Sequence, residues 1–242
     1  MTETAELVPV RPPTTSPLTG RAAWALLAAV LGVTVAVFGV LAAVLLWVPG
    51  GREHGLTLVA LSLPLHALAV LATLHAGLRR AGTGWRALGF QRPTAGLLHL
   101  LWQVPSLVVV VLLVQVLVFA VLGLEPPAED EGIDQLARDV GPVTVLALLV
   151  GIVVLAPIWE EAVFRGVVQG GLRRRWPVWA AVPVTAACFA AVHGIPVLLP
   201  YLFTMGVGLA VLREVHRTLW ASVLAHATVN ALASGALLSA LL

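Results

Sequence analysis

Charge is what this 242-residue chain has least of: 11% of its residues are charged, against 60% hydrophobic. Lysine is absent, so all 14 basic residues are arginines. They sit in short segments between apolar runs, which argues for a coding bias toward arginine and against a nucleic-acid surface. The one cysteine, Cys188, excludes an internal disulfide and reads as a small packing residue. No internal repeat is visible. Nor can so apolar a chain, with a mean hydropathy of +0.99, fold as a soluble domain.

What is there is a series of long uncharged runs, the signature of an all-α, polytopic transmembrane helical bundle. A membrane β-barrel is disfavoured, because its strands would alternate in short segments instead of running continuously apolar. Residues 1–20, rich in Pro and Thr, read as a disordered tail. Spans are expected from Arg21 to Val48, Leu56 to Leu78, Thr94 to Leu124 and Pro142 to Arg173. The stretch from Trp176 to Leu212 is too long for one span and breaks at His193-Gly194-Ile195-Pro196 into two short helices. A seventh span runs from Leu219 to Leu242. The N-terminal helices therefore fill 21–139, and residues 125–139 carry half of the acids, as a solvated loop does. If the N-terminus is cytoplasmic, eleven arginines fall on the inside and only Arg52 and Arg138 outside. That bias sets the orientation expected for a multi-pass protein of the plasma membrane.

Within this apolar chain, Trp159–Arg165 (W-E-E-A-V-F-R) places Glu160, Glu161 and Arg165 inside a span. Ionisable residues there cost at least about 2.5–3.5 kcal/mol each, so they mark a functional site by default. Glu161 and Arg165 are i,i+4 neighbours with the acid first, the favourable order for an ion pair. Glu160 lies about 100° round the helix and lacks that partner, which makes it the candidate for chemistry. Pro157 removes a backbone hydrogen bond just before the glutamates and predicts a local bend. Two further constellations follow: Phe189 with His193, and His226 with Asn230 on one helix face that Ser222 and Ser234 extend. Glu160 lies 16 residues before Trp176 and His193 lies 17 after it. An antiparallel pair turning there holds both at a similar height, about 25 Å along their helices. His226 comes to within a tilt of the same level.

Such a set can hydrolyse in either of two ways. Glu160 and His193 can hold and deprotonate a water while His226 and Asn230 stabilise an oxyanion. Alternatively Glu160, His193 and His226 can bind a catalytic Zn²⁺ with an open position. The zinc-protease signature H-E-x-x-H is absent, and no nucleophile turn surrounds Ser222. Catalytic zinc needs acceptors behind each histidine. Near His226 the sequence offers Asn230 and Ser222; near His193 it offers backbone and Thr185, and Glu161 is committed to Arg165. The balance favours no cofactor, with a divalent metal left open. A rival of another class is a non-proteolytic transporter or immunity scaffold, against which the lack of an inverted repeat counts.

The motifs E-E-x-x-x-R (Glu160, Glu161, Arg165), F-x-x-x-H (Phe189, His193) and H-x-x-x-N (His226, Asn230), in that order, resemble the CPBP family. The flanks A-P-I-W-E-E-A-V-F-R-G and L-W-A-S-V-L-A-H match as well. These are intramembrane proteases that include type II CAAX prenyl endopeptidases and bacterial bacteriocin-processing or self-immunity proteins. The resemblance covers about residues 142–235 and implies a catalytic transmembrane domain over 140–242. It implies that Glu160 and His193 activate water and that His226 and Asn230 form the oxyanion site, with Glu161 and Arg165 in support. It also implies a peptide or membrane-associated protein substrate beside the lipid bilayer, and no nucleic acid. Metal-dependent and metal-free mechanisms are both argued for the family.

Overall fold

The computed structural model describes residues 18–123 and 140–235, and regular structure among them is helical throughout. Seven helices follow the uncharged runs: α1 Gly20–Trp47, α2 Gly55–Arg80, α3 Leu100–Leu122, α4 Pro142–Leu172, α5 Val178–Val192, α6 Leu199–His216 and α7 Leu219–Ala233. Short 3₁₀ turns extend α3 back to Ala95 and α6 back to Pro196. Counting these turns, five helices are long and apolar enough to cross a membrane. The others, α5 and α7, have 15 residues each and span only about 22 Å of a hydrocarbon core about 30 Å thick. The seven expected spans are thus seven helices, two of which fall short of a full crossing among the described residues. Most of the expected tail, the acidic segment 125–139 and the chain beyond Gly235 lie outside the described residues.

Local chemistry sets the helix ends. Thr19 caps α1, its Oγ1 accepting from the Ala22 N–H at 3.2 Å. Gly123, in the left-handed region at φ 63°, closes α3. Pro142 opens α4 at a position whose N–H has no partner anyway. Between α6 and α7 the turn needs only Arg217, at φ 56°, and Thr218, whose hydroxyl accepts from the Trp220 N–H.

α4 is the central helix: it packs against α1, α2, α5, α6 and α7. Its residues from Glu161 to Val167 are all buried. The outer helices do the reverse. Val35 and Val40 of α1 and Val116 and Val121 of α3 are exposed, and such apolar flanks suit lipid, where helices satisfy their own backbone. The loop after α2 braces the end of the bundle where α7 begins. Leu88 is buried against Gly166 of α4, and the Gly89 carbonyl accepts from the Leu219 N–H at 2.9 Å, fixing the start of α7. Gly89 has φ 109°, and a Cβ there would collide with the Arg213 guanidinium, so only glycine fits.

Candidate active site

α4 is not a uniform α-helix. A π-helical turn over Val150–Leu155 and another over Ala162–Gln169 flank the α-helical Ala156–Glu161, which carries both glutamates. Such turns gather at functional sites because they break the regular i→i−4 ladder. In the first of them the N–H of Ala156 reaches back five residues to the Gly151 carbonyl. The next residue in that register, Pro157, has no N–H to give to the Ile152 carbonyl. Asn230 of α7 supplies the missing donor: its Nδ2 donates to the Ile152 carbonyl at 2.9 Å. The bend expected at Pro157 therefore takes the form of a register change, and Asn230 is bonded to it. One N–H of the Asn230 amide is used there, and one remains.

Glu161 lies at the centre of the buried polar cluster. Its Oε1 accepts from Arg165 Nη1 at 2.8 Å, and both side chains are fully buried. The same oxygen accepts from His226 Nδ1 at 3.0 Å. The ion pair is as expected, but Glu161 is not reserved for Arg165; it also orients the histidine. Arg165 is satisfied further by the Gly206 carbonyl, 3.0 Å from Nη2, and by the Phe189 ring, whose centroid is 4.6 Å from the guanidinium carbon. A side chain at Gly206 would press on Ala186 and Phe189, so the missing Cβ lets α6 approach closely enough to offer that carbonyl. Phe189, buried on α5, also makes edge contacts with His193, at 4.8 Å between centroids, and with His226, at 5.7 Å.

Because a carboxylate oxygen can only accept, the Glu161 contact fixes the proton of His226 on Nδ1 and turns Nε2 toward Glu160. Nε2 is 3.8 Å from Glu160 Oε2, beyond a direct hydrogen bond, and Oε2 is buried with no hydrogen-bond partner among the described residues. A separation of this size is one that a single bridging water can span. His193, half-buried at the end of α5, donates Nδ1–H to the Phe189 carbonyl at 2.7 Å, which leaves its Nε2 as an acceptor. It lies within electrostatic range of Glu160. Ser222 is buried but donates to its own helix at Leu219. The structure thus gathers Glu160, Glu161, Arg165, Phe189, His193 and His226, and it ties Asn230 to the rim of the same cluster.

Two features escape the motif reading. Gln169 and Arg173 continue the i,i+4 stripe of Glu161 and Arg165, and both bond to Glu214 of α6, at 2.9 and 3.0 Å. The spacing alone could have found them. His66 of α2 hydrogen-bonds Thr34 and packs edge-on to Trp159, the residue before Glu160. No local spacing announces that contact. Among the described residues no group of three or more His, Cys, Asp or Glu is arranged to hold a metal ion.

The fold and this cluster define a helical membrane protein with a buried carboxylate–arginine–imidazole site on its central helix. Residues 142–232 match the family model described as type II CAAX prenyl endopeptidase Rce1-like, which supports a CPBP-family intramembrane protease of the CAAX type. The match takes in α4 to α7 almost entire and every residue of the site, while α1 to α3 lie outside it. No curated protein and no solved structure matches the chain.

Proposed function

We propose that this chain is an endopeptidase of the plasma membrane that hydrolyses peptide bonds of a peptide or membrane-associated protein, near the cytoplasmic face, through a glutamate-activated water and without a metal. The observation that carries it is the buried, unpartnered Glu160 Oε2 facing His226 Nε2 at 3.8 Å, with Nδ1 of that histidine held by Glu161. Glu160 takes a proton from the water as its oxygen attacks the scissile carbonyl carbon, and His193 Nε2 accepts the water's second hydrogen bond. With Nδ1–H committed to Glu161, His226 donates from Nε2 only as the imidazolium. In that state Glu160, Glu161, Arg165 and His226 sum to zero charge. Proton transfer to Glu160 moves one negative charge onto the oxyanion, opposite His226 and the spare N–H of Asn230, and the sum stays zero. No step brings net charge into a low-dielectric site, which is the condition for electrostatic stabilisation of this kind. Glu160 then returns the proton to the leaving amine, and the C–N bond breaks.

Cleavage of a peptide library by the purified protein and its Glu160→Gln variant tests this. Glu160→Gln keeps the shape and removes the base, so turnover is expected to vanish while the thermal midpoint stays. Full turnover by the variant refutes the assignment of the base. A folded wild type that leaves every peptide intact refutes the hydrolytic reading in favour of a non-proteolytic membrane protein.

A further inference from the structure

At the arginine-rich end of α4, where the helix meets the start of α1, lies a cavity of about 380 Å³. Its floor is apolar, from Ala23, Leu27, Val167 and Leu172, and its rim carries Arg174, Arg175, Trp24 and Trp176. The three consecutive arginines after α4 are not equivalent. Arg173 turns inward to Glu214 at 3.0 Å and donates to the Trp176 carbonyl at 2.8 Å, which pins the turn. Arg174 and Arg175 have no salt-bridge partner among the described residues. The described acids account for themselves: Glu160 and Glu161 belong to the active site, Glu214 to Arg173, and Glu53 follows the far end of α1. The acidic residues of 125–139 precede α4 in the sequence and lie outside the described residues.

Two guanidinium groups with no salt-bridge partner among the described residues, above an apolar floor and flanked by Trp24 and Trp176, match one ligand in chemistry. We propose that this cavity binds an anionic phospholipid of the adjacent leaflet, its phosphodiester on Arg174 and Arg175 and the first part of an acyl chain along Leu27, Val167 and Leu172. Arginine suits the phosphate because its planar fork gives paired hydrogen bonds. Basic pockets between helices on the positively flanked side hold such headgroups, and the volume is that of a ligand site. The inference does not depend on the hydrolytic reading.

The test is native mass spectrometry of the full chain in detergent, titrated with phosphatidylglycerol or with phosphatidylcholine of the same acyl chains. Wild type is expected to retain one phosphatidylglycerol on the order of tenfold more tightly than phosphatidylcholine. Arg174→Gln/Arg175→Gln is expected to abolish that preference. Gly171→Leu is a second variant: a Cβ at Gly171 meets no atom within 4 Å, so the new side chain enters the cavity without strain. Leucine is also the better helix former, and this variant is expected to weaken retention of both lipids. Equal retention of the two lipids by wild type, or an unchanged preference in the double arginine variant, overturns the proposal. Displacement of the lipid by inorganic phosphate overturns its acyl-chain part. A preference that emerges only after Glu3→Gln/Glu6→Gln assigns the cavity to the protein's own tail and overturns it too.

Discussion

Glu161→Gln separates what holds the site together from what makes it react. In the folded protein one oxygen of Glu161 takes hydrogen bonds from Arg165 at 2.8 Å and from His226 at 3.0 Å, and the ion pair is fully buried. Removing one partner of a buried pair costs about 3–5 kcal/mol, because the other charge is stranded. Glutamine keeps one neutral acceptor, and Arg165 keeps the Gly206 carbonyl and the Phe189 ring, so the expected loss is near the low end, about 3 kcal/mol. Adding Arg165→Gln removes the stranded charge, and most of that stability returns as a non-additive coupling. Turnover does not return with it. His226 still lacks the carboxylate that fixes its tautomer and supports its imidazolium, a loss on the order of 10²–10⁴ in kcat. The assay is thermal unfolding beside peptide cleavage for wild type, both single variants and the double. If the double variant regains turnover along with stability, Glu161 is merely the counter-ion of Arg165 and the orienting role is wrong. If Glu161→Gln is as stable as wild type, the buried ion pair does not hold the helices.

Asn230→Ala is expected to keep measurable activity, with kcat down by about 10²–10³ from a lost oxyanion donor. It should also cost about 1–3 kcal/mol of stability, because the Ile152 carbonyl loses its partner; unchanged stability would show that this hydrogen bond is not formed. Metal analysis with turnover measured before and after chelation is expected to find activity insensitive to chelator. Stoichiometric zinc, with activity lost on its removal and restored by its return, refutes the metal-free mechanism. A reporter fused after Leu242 is expected on the extracytoplasmic side and one near Arg86 on the cytoplasmic side, from the eleven-to-two arginine split; the reverse pattern overturns the orientation.

The helices were legible because a membrane chain advertises them: uncharged runs break at Pro49-Gly50 and end at Arg79-Arg80, where the structure also ends its helices, although the helix expected to stop at Leu212 continues through Arg213 and Glu214 to His216. The Glu161–Arg165 pair and the inward face of Ser222, His226 and Ser234 were legible because both depend only on helical spacing. The second bond of Glu161, to His226, was not. It joins residues 65 apart, and no local spacing decides whether a carboxylate serves one donor or two. The partner of Asn230 was hidden for another reason: Ile152 offers its carbonyl only because the backbone is in π register at Pro157, and hydrophobic periodicity does not report that change.

These two contacts together explain how a site on short helices keeps its geometry. α7 meets α4 at His226–Glu161 and again at Asn230–Ile152, one turn apart on α7 and nine residues apart on α4. A single bond would leave α7 free to rotate about its axis or slide along its neighbour. Two bonds at different heights remove both freedoms, and Gly89 holds the start of the same helix through Leu219. The imidazole is also restrained by the edge contact with Phe189, which the Arg165 guanidinium keeps in place from one side. The position of His226 Nε2 opposite Glu160 is therefore determined by contacts that do not include Glu160. Those contacts leave the buried Oε2 of Glu160 without a hydrogen-bond partner among the described residues, as Oε2 of Glu161 also is, so the Glu160 oxygen is not needed to hold the histidine.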